Sequence, residues 1–294
     1  MLIDTGFPGF DGRDAERIIL AAKDAGIERL DYVLITHYHR DHVGGVVQLA
    51  QRIPIGQYLD HGANVEDSAT AREGFAAYSK LWAGSNHRTL RPGNHISIGA
   101  VQLEVLASAG NVIGPTGPGK LASNPLCASE STPPEDPTEN AQSVGILLTF
   151  AKFHFLDLGD LTKEKELALV CPHNPIPAVD LFLSSHHGLD VSNSRALVHA
   201  VHPTVAIMNN GPHKGGKPAA WEVIHDSPGL QDLWQLHYAL DADKAHNTDE
   251  QKIANLNEGC KGNYLKASVE ADGAFSVLNS RNHFSRTYKT NAGR

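Results

Sequence analysis

The stretch that decides the fold is Tyr32-Val33-Leu34-Ile35-Thr36-His37-Tyr38-His39-Arg40-Asp41-His42, followed by Gly44-Gly45. It begins with an apolar run that predicts a short strand buried on both faces. Residues 43–50 predict a helix, so the histidines fall where the strand ends. In a layered α/β protein, catalytic groups gather at this edge because the loops there converge over a rigid sheet.

Residues 37–42 hold three histidines and one aspartate, and each of these side chains can bind a transition metal. Imidazole and carboxylate groups suit Zn²⁺ and neighbouring divalent ions. A compact loop of this composition is hard to explain without a cation that offsets the desolvation of its polar groups. The alternative is a loop whose histidines cap a helix or pair with a surface acid. We favour the metal site because such clusters rarely form without a metal to bind.

The segment Thr36–His42 resembles the HxHxDH signature of the metallo-β-lactamase superfamily. Three further segments match that family in the expected order: Met1–Gly6 with its Asp-Thr-Gly end, Phe155–Leu161 with its Gly-Asp element, and Leu183–Gly188 with its His-His-Gly element. With Asn140 and Ser143, the last element is most similar to the branch that contains the hydrolase domain of bacterial DNA-uptake channels and the choline-phosphate esterases of the cell wall.

The resemblance implies an α/β fold of the metallo-β-lactamase type, a four-layer αββα sandwich. It covers residues 1–225, the expected hydrolase domain, and residues 226–294 are expected to form a C-terminal extension that packs on the same domain. Family members begin with strands ahead of the Asp-Thr-Gly strand. We therefore expect the sandwich to lack its first strands and the natural gene product to start upstream, where an export signal is one option. Met1 leads straight into an apolar strand, without the basic region and cleavage site of a signal peptide.

The resemblance also implies a dinuclear metal site. Its expected ligands are His37 and His39 on one metal, Asp41, His42 and either His186 or His187 on the other, and Asp160 between the two. Asp160 suits the bridge because it ends a strand and its carboxylate has two oxygens to share. Successive side chains of an extended segment alternate in direction, so one of the adjacent histidines should bind metal, and we favour His186. Zn²⁺ is the default cation at both positions, with Mn²⁺ or Fe²⁺ as alternatives.

This sequence departs from the family at one position. Many members carry a third histidine for the first metal shortly before the Gly-Asp strand, and none stands between Leu106 and Val144. His61, Asn140 or water would complete the coordination of that metal, and a lower affinity there would follow. His61 comes after the predicted strand 53–59 at the metal edge, so it is also a candidate catalytic residue, with an exposed loop histidine as the alternative.

Other polar residues fall at the same predicted edge. Asp4 is expected to orient the metal-binding loop by hydrogen bonds, unless it serves only as a turn former. Asp41 is expected to orient the attacking hydroxide as well as to bind metal. In a late loop, Asn210, His213 and Lys214 are candidates to stabilise charge on a substrate oxygen, and His213 alternatively completes a metal site. A polar turn is the simpler interpretation of that loop.

The composition describes an ordinary globular protein, with 41% hydrophobic and 20% charged residues. The net charge of −8 weighs against a long nucleic acid as the main partner, because such binders usually present a basic face. No segment approaches the ~20 continuous apolar residues of a membrane span. Cys127, Cys171 and Cys260 fit neither a zinc knuckle nor a disulfide framework, and both one disulfide and free buried thiols are compatible with them.

Residues 107–140 are rich in Gly and Pro and predict a long loop, which we expect to cover the substrate in preference to serving as a linker. A dinuclear site generates hydroxide from bound water at neutral pH, so the predicted function is that of a hydrolase. The resemblance favours a phosphodiester or a phosphate ester as the substrate. A lactone, thioester or β-lactam is the alternative. A non-catalytic metal-binding module is a further alternative from a different class.

Overall fold

The computed structural model describes residues 1–82, 86–114 and 121–291. Its strands are β1 (Leu2–Ile3), β2 (Leu30–Leu34), β3 (Ile55–Asp60), β4 (His87–Thr89), β5 (His95–Ile98), β6 (Val101–Ser108), β7 (Asn111–Val112), β8 (Ala122–Ser123), β9 (Gly145–Phe150), β10 (Phe153–Asp157), β11 (His173–Asn174), β12 (Leu181–Leu183), β13 (Val205–Met208), β14 (Asp232–His237), β15 (Ile253–Asn255), β16 (Leu265–Val269), β17 (Ala274–Asn279) and β18 (Ser285–Lys289). Its helices are α1 (Arg13–Asp24), α2 (Arg40–Val43), α3 (Val46–Ala50), α4 (Ala69–Trp82), α5 (Lys163–Val170), α6 (Arg195–Ala200) and α7 (Pro218–His225). Within the described ranges, no helix is both long and apolar enough to cross a membrane.

Two sheets form the body of the protein. The small sheet is parallel and has four strands in the order β1-β2-β3-β4. The large sheet has nine strands, in the order β15-β14-β13-β12-β10-β9-β6-β5 with β7 paired to β6. The C-terminal ends of β2, β10 and β12 lead into the histidine loop, Asp160 and the His-His-Gly element.

The apolar side chains divide into layers. On the outer face of the small sheet, α1, α3 and α4 pack around Val33. Leu34 faces the large sheet and packs there with Leu103 and Ile146. On the other side of the large sheet, α5, α6 and α7 cover Leu156. The four-layer αββα sandwich predicted from the sequence is confirmed.

The last three strands form a separate antiparallel sheet, β16-β17-β18, which packs on the large sheet. Its residues Phe275 and Tyr288 share an apolar cluster with Trp234 of β14. Phe155 of β10 joins this cluster and pairs across the ladder with Leu148, which faces the small sheet. Because cross-strand partners share a face, the C-terminal sheet lies on the same side of the large sheet as the small sheet does.

The chain beyond residue 225 also contributes to the large sheet, through β14 and β15. The polar segment 241–257, which follows β14, is ordered by buried hydrogen bonds. The side-chain Oδ1 of the buried Asn247 accepts hydrogen bonds from the Ala239 N–H at 2.8 Å and from Gln235 Nε2 at 3.2 Å, which anchors the segment. The boundary at residue 225 stays a prediction, and the large sheet takes strands from both sides of it.

A pair of glycines shapes the turn after the histidine loop. The sequence predicts one continuous helix here, and the structure has α2 and α3 with a break at Gly44 and Gly45. A Cβ on Gly44 would lie 2.2 Å from the Arg40 carbonyl oxygen, and one on Gly45 would lie 2.1 Å from the Thr5 carbonyl oxygen. The backbone after β1 therefore packs directly on this turn, where the Thr5 N–H donates to the His42 carbonyl at 2.7 Å.

The predicted covering loop 107–140 includes residues 115–120, which lie outside the described residues. Its described part contains β8, which pairs with β11, and a 3-10 helix, Pro125–Ser129, that packs near α6. A disulfide joins Cys127 of this helix to Cys171, directly after α5. This pairing is one of the two alternatives that the sequence leaves open for the cysteines.

Candidate metal centre

Asp4 holds both ends of the histidine loop. Its Oδ1 accepts the Thr36 N–H at 2.8 Å, and its Oδ2 accepts the Thr36 hydroxyl at 2.8 Å. The same Oδ2 lies 2.6 Å from Nδ1 of His42, at the other end of the loop. Since Nδ1 of His42 is engaged by Asp4, its Nε2 is the nitrogen that faces the centre. These are the contacts that the expected orienting role of Asp4 requires.

The first group of converging ligand atoms belongs to His37, His42 and Asp160, and these atoms lie within 4.8 Å of one another. The Asp160 Oδ2 is 3.8 Å from His37 Nε2 and 3.3 Å from His42 Nε2. Ser143 contacts both Asp160 and His37. Its Oγ accepts the Asp160 N–H at 3.2 Å and lies 3.5 Å from His37 Nδ1. All three ligand residues are buried.

The second group consists of Asp41, His42 and His187, again within 4.8 Å of one another. His187 Nε2 lies 3.2 Å from Asp41 Oδ2 and 3.4 Å from Asp160 Oδ1. Asp160 therefore turns Oδ2 toward the first group and Oδ1 toward the second. A carboxylate placed between two cations has this arrangement.

The His-His-Gly element differs from the expected extended segment. Ser185–Gly188 is a 3-10 helix in which His186 and His187 have φ values of 51° and 56°. The alternation argument fails for such a turn, and both rings face Asp160, with His186 Nε2 at 3.4 Å from its Oδ2. Burial lowers the pKa of His186 to about 4, so its imidazole is neutral. The choice between the two histidines stays a prediction, and the contacts of His187 with the second group favour it over His186.

His39 lies next to His37 of the first group. Its Nδ1 lies 3.1 Å from His37 Nε2, and its Nε2 lies 2.9 Å from Glu66 Oε2. A hydrogen bond from Nε2 to Glu66 leaves the Nδ1 lone pair for a metal beside His37. Sequence reasoning missed Glu66, which lies in the loop after β3 and belongs to no motif.

His61 lies beneath the histidine loop and outside both groups. Its Nε2 is 2.9 Å from Glu139 Oε2, and the pair is buried. The same oxygen accepts the Tyr38 N–H at 3.1 Å, so Glu139, also missed from the sequence, ties His61 to the loop. Asn140 has a buried Oδ1 without a hydrogen-bond partner among the described residues, so it still needs a partner such as a cation. The catalytic role of His61 stays a prediction.

The late loop supplies one charged group to the centre. The Lys214 ammonium contacts Asp41 Oδ2. His213 is half exposed and lies 2.8 Å from Asp241 Oδ1 through its Nδ1, outside both ligand groups. Asn210 is buried, and its amide donates to the Gly211 and His237 carbonyls, at 3.0 and 2.8 Å. One of these bonds holds the loop on β14 and the other lies within the loop, and the substrate contact of Asn210 stays a prediction.

Burial and neighbouring charge set the protonation of the ligands. Burial lowers the pKa of His37 well below its ordinary value, and the charge of His42 adds to this effect. Burial opposes ionisation of Asp160, but His42 and His187 hold its pKa well below the ordinary value. Burial opposes protonation of His42 and His187, but the carboxylates beside them raise the pKa values of both, so a cation bound there would displace a proton. Imidazoles and ionised carboxylates are the ligands that divalent cations such as Zn²⁺ take, and this donor set fits them.

Comparisons with known proteins find a family that the first part of the chain is similar to. The sequence model of the Metallo-beta-lactamase superfamily matches residues 1–115. Hydroxyacylglutathione hydrolase from Acidiphilium cryptum (strain JF-5) is 35% identical over 104 residues, which are 35% of this chain and 36% of that protein. Coenzyme F420H(2) oxidase from Methanothermobacter marburgensis is 38% identical over 53 residues, 18% of this chain and 13% of that protein. The match spans about a third or less of the length of these curated relatives.

Some solved structures are also similar to this chain, at low identity. The metallo-β-lactamase fold protein YhfI from Bacillus subtilis is 10% identical with a TM-score of 0.44, covering 79% of this chain and 91% of that one. The diiron β-hydroxylase CmlA from Streptomyces venezuelae is 15% identical with a TM-score of 0.35, covering 70% and 39%. The segment matched by the family model contains both Asp4 and the histidine loop, so residues 1–115 are similar to the metallo-β-lactamase superfamily in the part that carries these residues.

Proposed function

We propose that this protein is a hydrolase that works with two divalent cations and cleaves a phosphodiester or a phosphate ester. The observation that carries the proposal is the position of Asp160 between two ligand groups, with Oδ2 at 3.3 Å from His42 Nε2 and Oδ1 at 3.4 Å from His187 Nε2. Two cations at such a site lower the pKa of bound water toward ~7 and stabilise the attacking and leaving oxygens.

In this proposal the chain's own side chains hold and orient the metals. The ligands are His37 and His39 for the first cation, Asp41, His42 and His187 for the second, and Asp160 for both. Asp4 and Ser143 keep these ligands in place through the hydrogen bonds described above. Asn140 or water completes the first cation's coordination. Zn²⁺ is the expected cation, with Mn²⁺ or Fe²⁺ as alternatives, because site affinity alone does not decide occupancy.

Lys214 supports an anionic substrate. Its ammonium contacts Asp41, and Asp41 is an expected metal ligand. If Asp41 held a cation, the Lys214 ammonium would be free to donate to a negatively charged substrate oxygen. A phosphodiester carries such an oxygen beside the bond that breaks.

A thioester is the second candidate substrate. The relative named hydroxyacylglutathione hydrolase is 35% identical over 104 residues, and a hydrolase of that name acts on a thioester. A site that supplies hydroxide for attack on phosphorus would serve equally for attack on a carbonyl carbon. A lactone or a β-lactam belongs to the same group of carbonyl substrates.

Metal analysis and a panel of substrates test the proposal. We expect purified protein to contain about two metal ions per chain, the number that a two-metal site requires. It should hydrolyse bis-p-nitrophenyl phosphate, and a chelator should abolish that activity. Asp160→Asn should lose both metal and turnover, whereas His95→Gln, an exposed histidine of β5, should change neither.

The other outcomes identify the other functions. Hydrolysis of a thioester, a chromogenic lactone or nitrocefin without hydrolysis of the phosphodiester would replace the phosphate substrate with a carbonyl one. Bound metal without turnover of any of these compounds would indicate a binding module and overturn the hydrolase proposal.

A further inference from the structure

A cavity of about 750 Å³ opens beside the metal centre. Asp41 and His187 form part of its wall, and Arg17 and His237 form another part. Cavities of this size bury most of a small organic ligand. This one therefore has room for more of a substrate than the bond that is cleaved.

His237 has an unused hydrogen-bonding atom. The residue is only 8% exposed, and its Nδ1 is buried without a hydrogen-bond partner among the described residues. Its backbone is fixed, because Asn210 donates to the His237 carbonyl at 2.8 Å and accepts its N–H at 3.4 Å. A buried ring nitrogen without a partner is costly. Because His237 also lines the cavity, a ligand bound there is the candidate for the missing partner.

Arg17 brings positive charge to the same wall. Its Nη2 donates to the Cys260 carbonyl at 3.0 Å, and the guanidinium has no ion-pair partner in the described part of the chain. Gly262 leaves room for it, since a Cβ there would lie 2.7 Å from Arg17 Nε. The nearby Asp14 is held by Arg13 Nε at 2.7 Å. The Arg17 guanidinium therefore retains donors for an anionic ligand.

Burial and the charge of Arg17 together keep the His237 ring unprotonated. Burial lowers the pKa of His237, and the charge of Arg17 lowers it further, so the ring is neutral near pH 7. A neutral imidazole donates one hydrogen bond, which suits a carboxylate or phosphate oxygen that the guanidinium also binds. Ile18, Leu236 and Tyr264 line the cavity too and offer apolar surface for a hydrocarbon segment.

We propose that Arg17 and His237 bind the terminal carboxylate or phosphate of an elongated substrate whose ester lies at the metal centre. An apolar linker joins the two ends along the cavity wall. This subsite rests on the proposed hydrolase function and narrows its substrates to esters with a second anionic group.

Kinetics with three p-nitrophenyl phosphodiesters test the subsite, with hexyl, 5-carboxypentyl or 5-phosphonopentyl as the second ester group. We expect the metal-loaded protein to show a lower KM for at least one anionic tail than for hexyl. Arg17→Gln should raise that KM about tenfold, the loss of one charge-assisted hydrogen bond, without changing kcat. His237→Phe should act in the same direction. Arg29→Gln removes an exposed charge outside the cavity and should have no effect. The preferred tail decides between carboxylate and phosphate.

Two results would overturn the subsite and leave the hydrolase proposal intact. One is an equal KM for the anionic esters in wild type and Arg17→Gln, and the other is a lower KM for the hexyl ester than for both anionic esters. If none of the esters is cleaved, the phosphodiester proposal fails, and calorimetric titration of hexanoate and hexyl phosphate into metal-loaded protein decides the subsite. Binding that weakens about tenfold in Arg17→Gln supports it, on the same hydrogen-bond argument, and equal binding overturns it.

Discussion

Glu66 controls which nitrogen of His39 is available to a metal. Its Oε2 lies 2.9 Å from His39 Nε2 and also accepts the Glu139 N–H at 3.2 Å. The Nε2 therefore donates, and Nδ1 keeps the lone pair that faces His37 Nε2 at 3.1 Å. A carboxylate that holds the far nitrogen of a ligand histidine fixes the ring and raises its basicity.

Replacing Glu66 tests this role. Glu66→Gln keeps the shape of the side chain but removes its charge, so we expect the affinity for the first cation to fall about 10–100-fold, as for other partners of ligand histidines. The second cation should bind as before, since Glu66 touches none of its ligands. Competition titration with a zinc-binding dye measures the binding of the first and the second cation separately. Glu73→Gln, on the exposed side of α4, is the matched control, and equal first-step affinities in both variants would contradict the role.

The sequence predicted the residues of the histidine loop, Asp4 and Asp160 because each belongs to a local motif. Glu66 and Glu139 escaped prediction because they reach the loop from elsewhere in the chain, by tertiary contact alone. The preference for His186 over His187 rested on an extended backbone. The positive φ values of both residues remove that premise.

The Cys127–Cys171 disulfide joins the end of helix α5 to the 3-10 helix Pro125–Ser129 and spans a sequence separation of 44 residues. Closing a loop of this length restricts the unfolded chain and stabilises the folded state by about 2–4 kcal/mol. Beside the disulfide, the Asn124 amide donates to the Val170 and Ala196 carbonyls, at 3.3 and 3.0 Å. The sequence left the cysteine pairing open because spacing alone does not bring two thiols together.

Removing the disulfide should therefore destabilise the protein without touching the metal centre. We expect the double variant Cys127→Ser with Cys171→Ser to lose about 2–4 kcal/mol of unfolding free energy, the usual value for such a bridge. Urea unfolding monitored by fluorescence measures the loss. Cys260→Ser, which alters the free thiol, is the control. An unchanged urea midpoint in the double variant would show that the bridge does not form in solution.

At the scale of the whole molecule, the metal centre lies where the two sheets meet. His37 and His42 follow β2 of the small sheet, whereas Asp160 and His187 follow β10 and β12 of the large sheet. Cations shared by these ligands would link the two halves of the sandwich. Without cations, the charges of Asp41 and Asp160 are offset only by Lys214, His42 and His187 among the described residues.

The layered fold was predictable because apolar strands and amphipathic helices follow each other along the chain. The C-terminal part was harder to predict. Its polar segment is ordered by the buried Asn247, and its last sheet is anchored by the Tyr288 hydroxyl, which donates to Asp232 Oδ2 at 2.6 Å and accepts from Trp234 Nε1 at 3.0 Å. Such polar contacts depend on the folded arrangement and leave no periodic pattern in the sequence.

Metal removal should loosen the junction of the two sheets more than the rest of the molecule. A cation at a hundred times its dissociation constant stabilises the folded state by about 2.7 kcal/mol, so chelation should lower Tm by about 5–10 °C. Hydrogen exchange should rise at residues 36–43, 158–161 and 185–189, which carry the ligands. Exchange at residues 265–289, in the C-terminal sheet, should stay constant because Tyr288 and Trp234 hold that sheet without metal. An even rise across all of these segments would mean that the cations do not link the sheets.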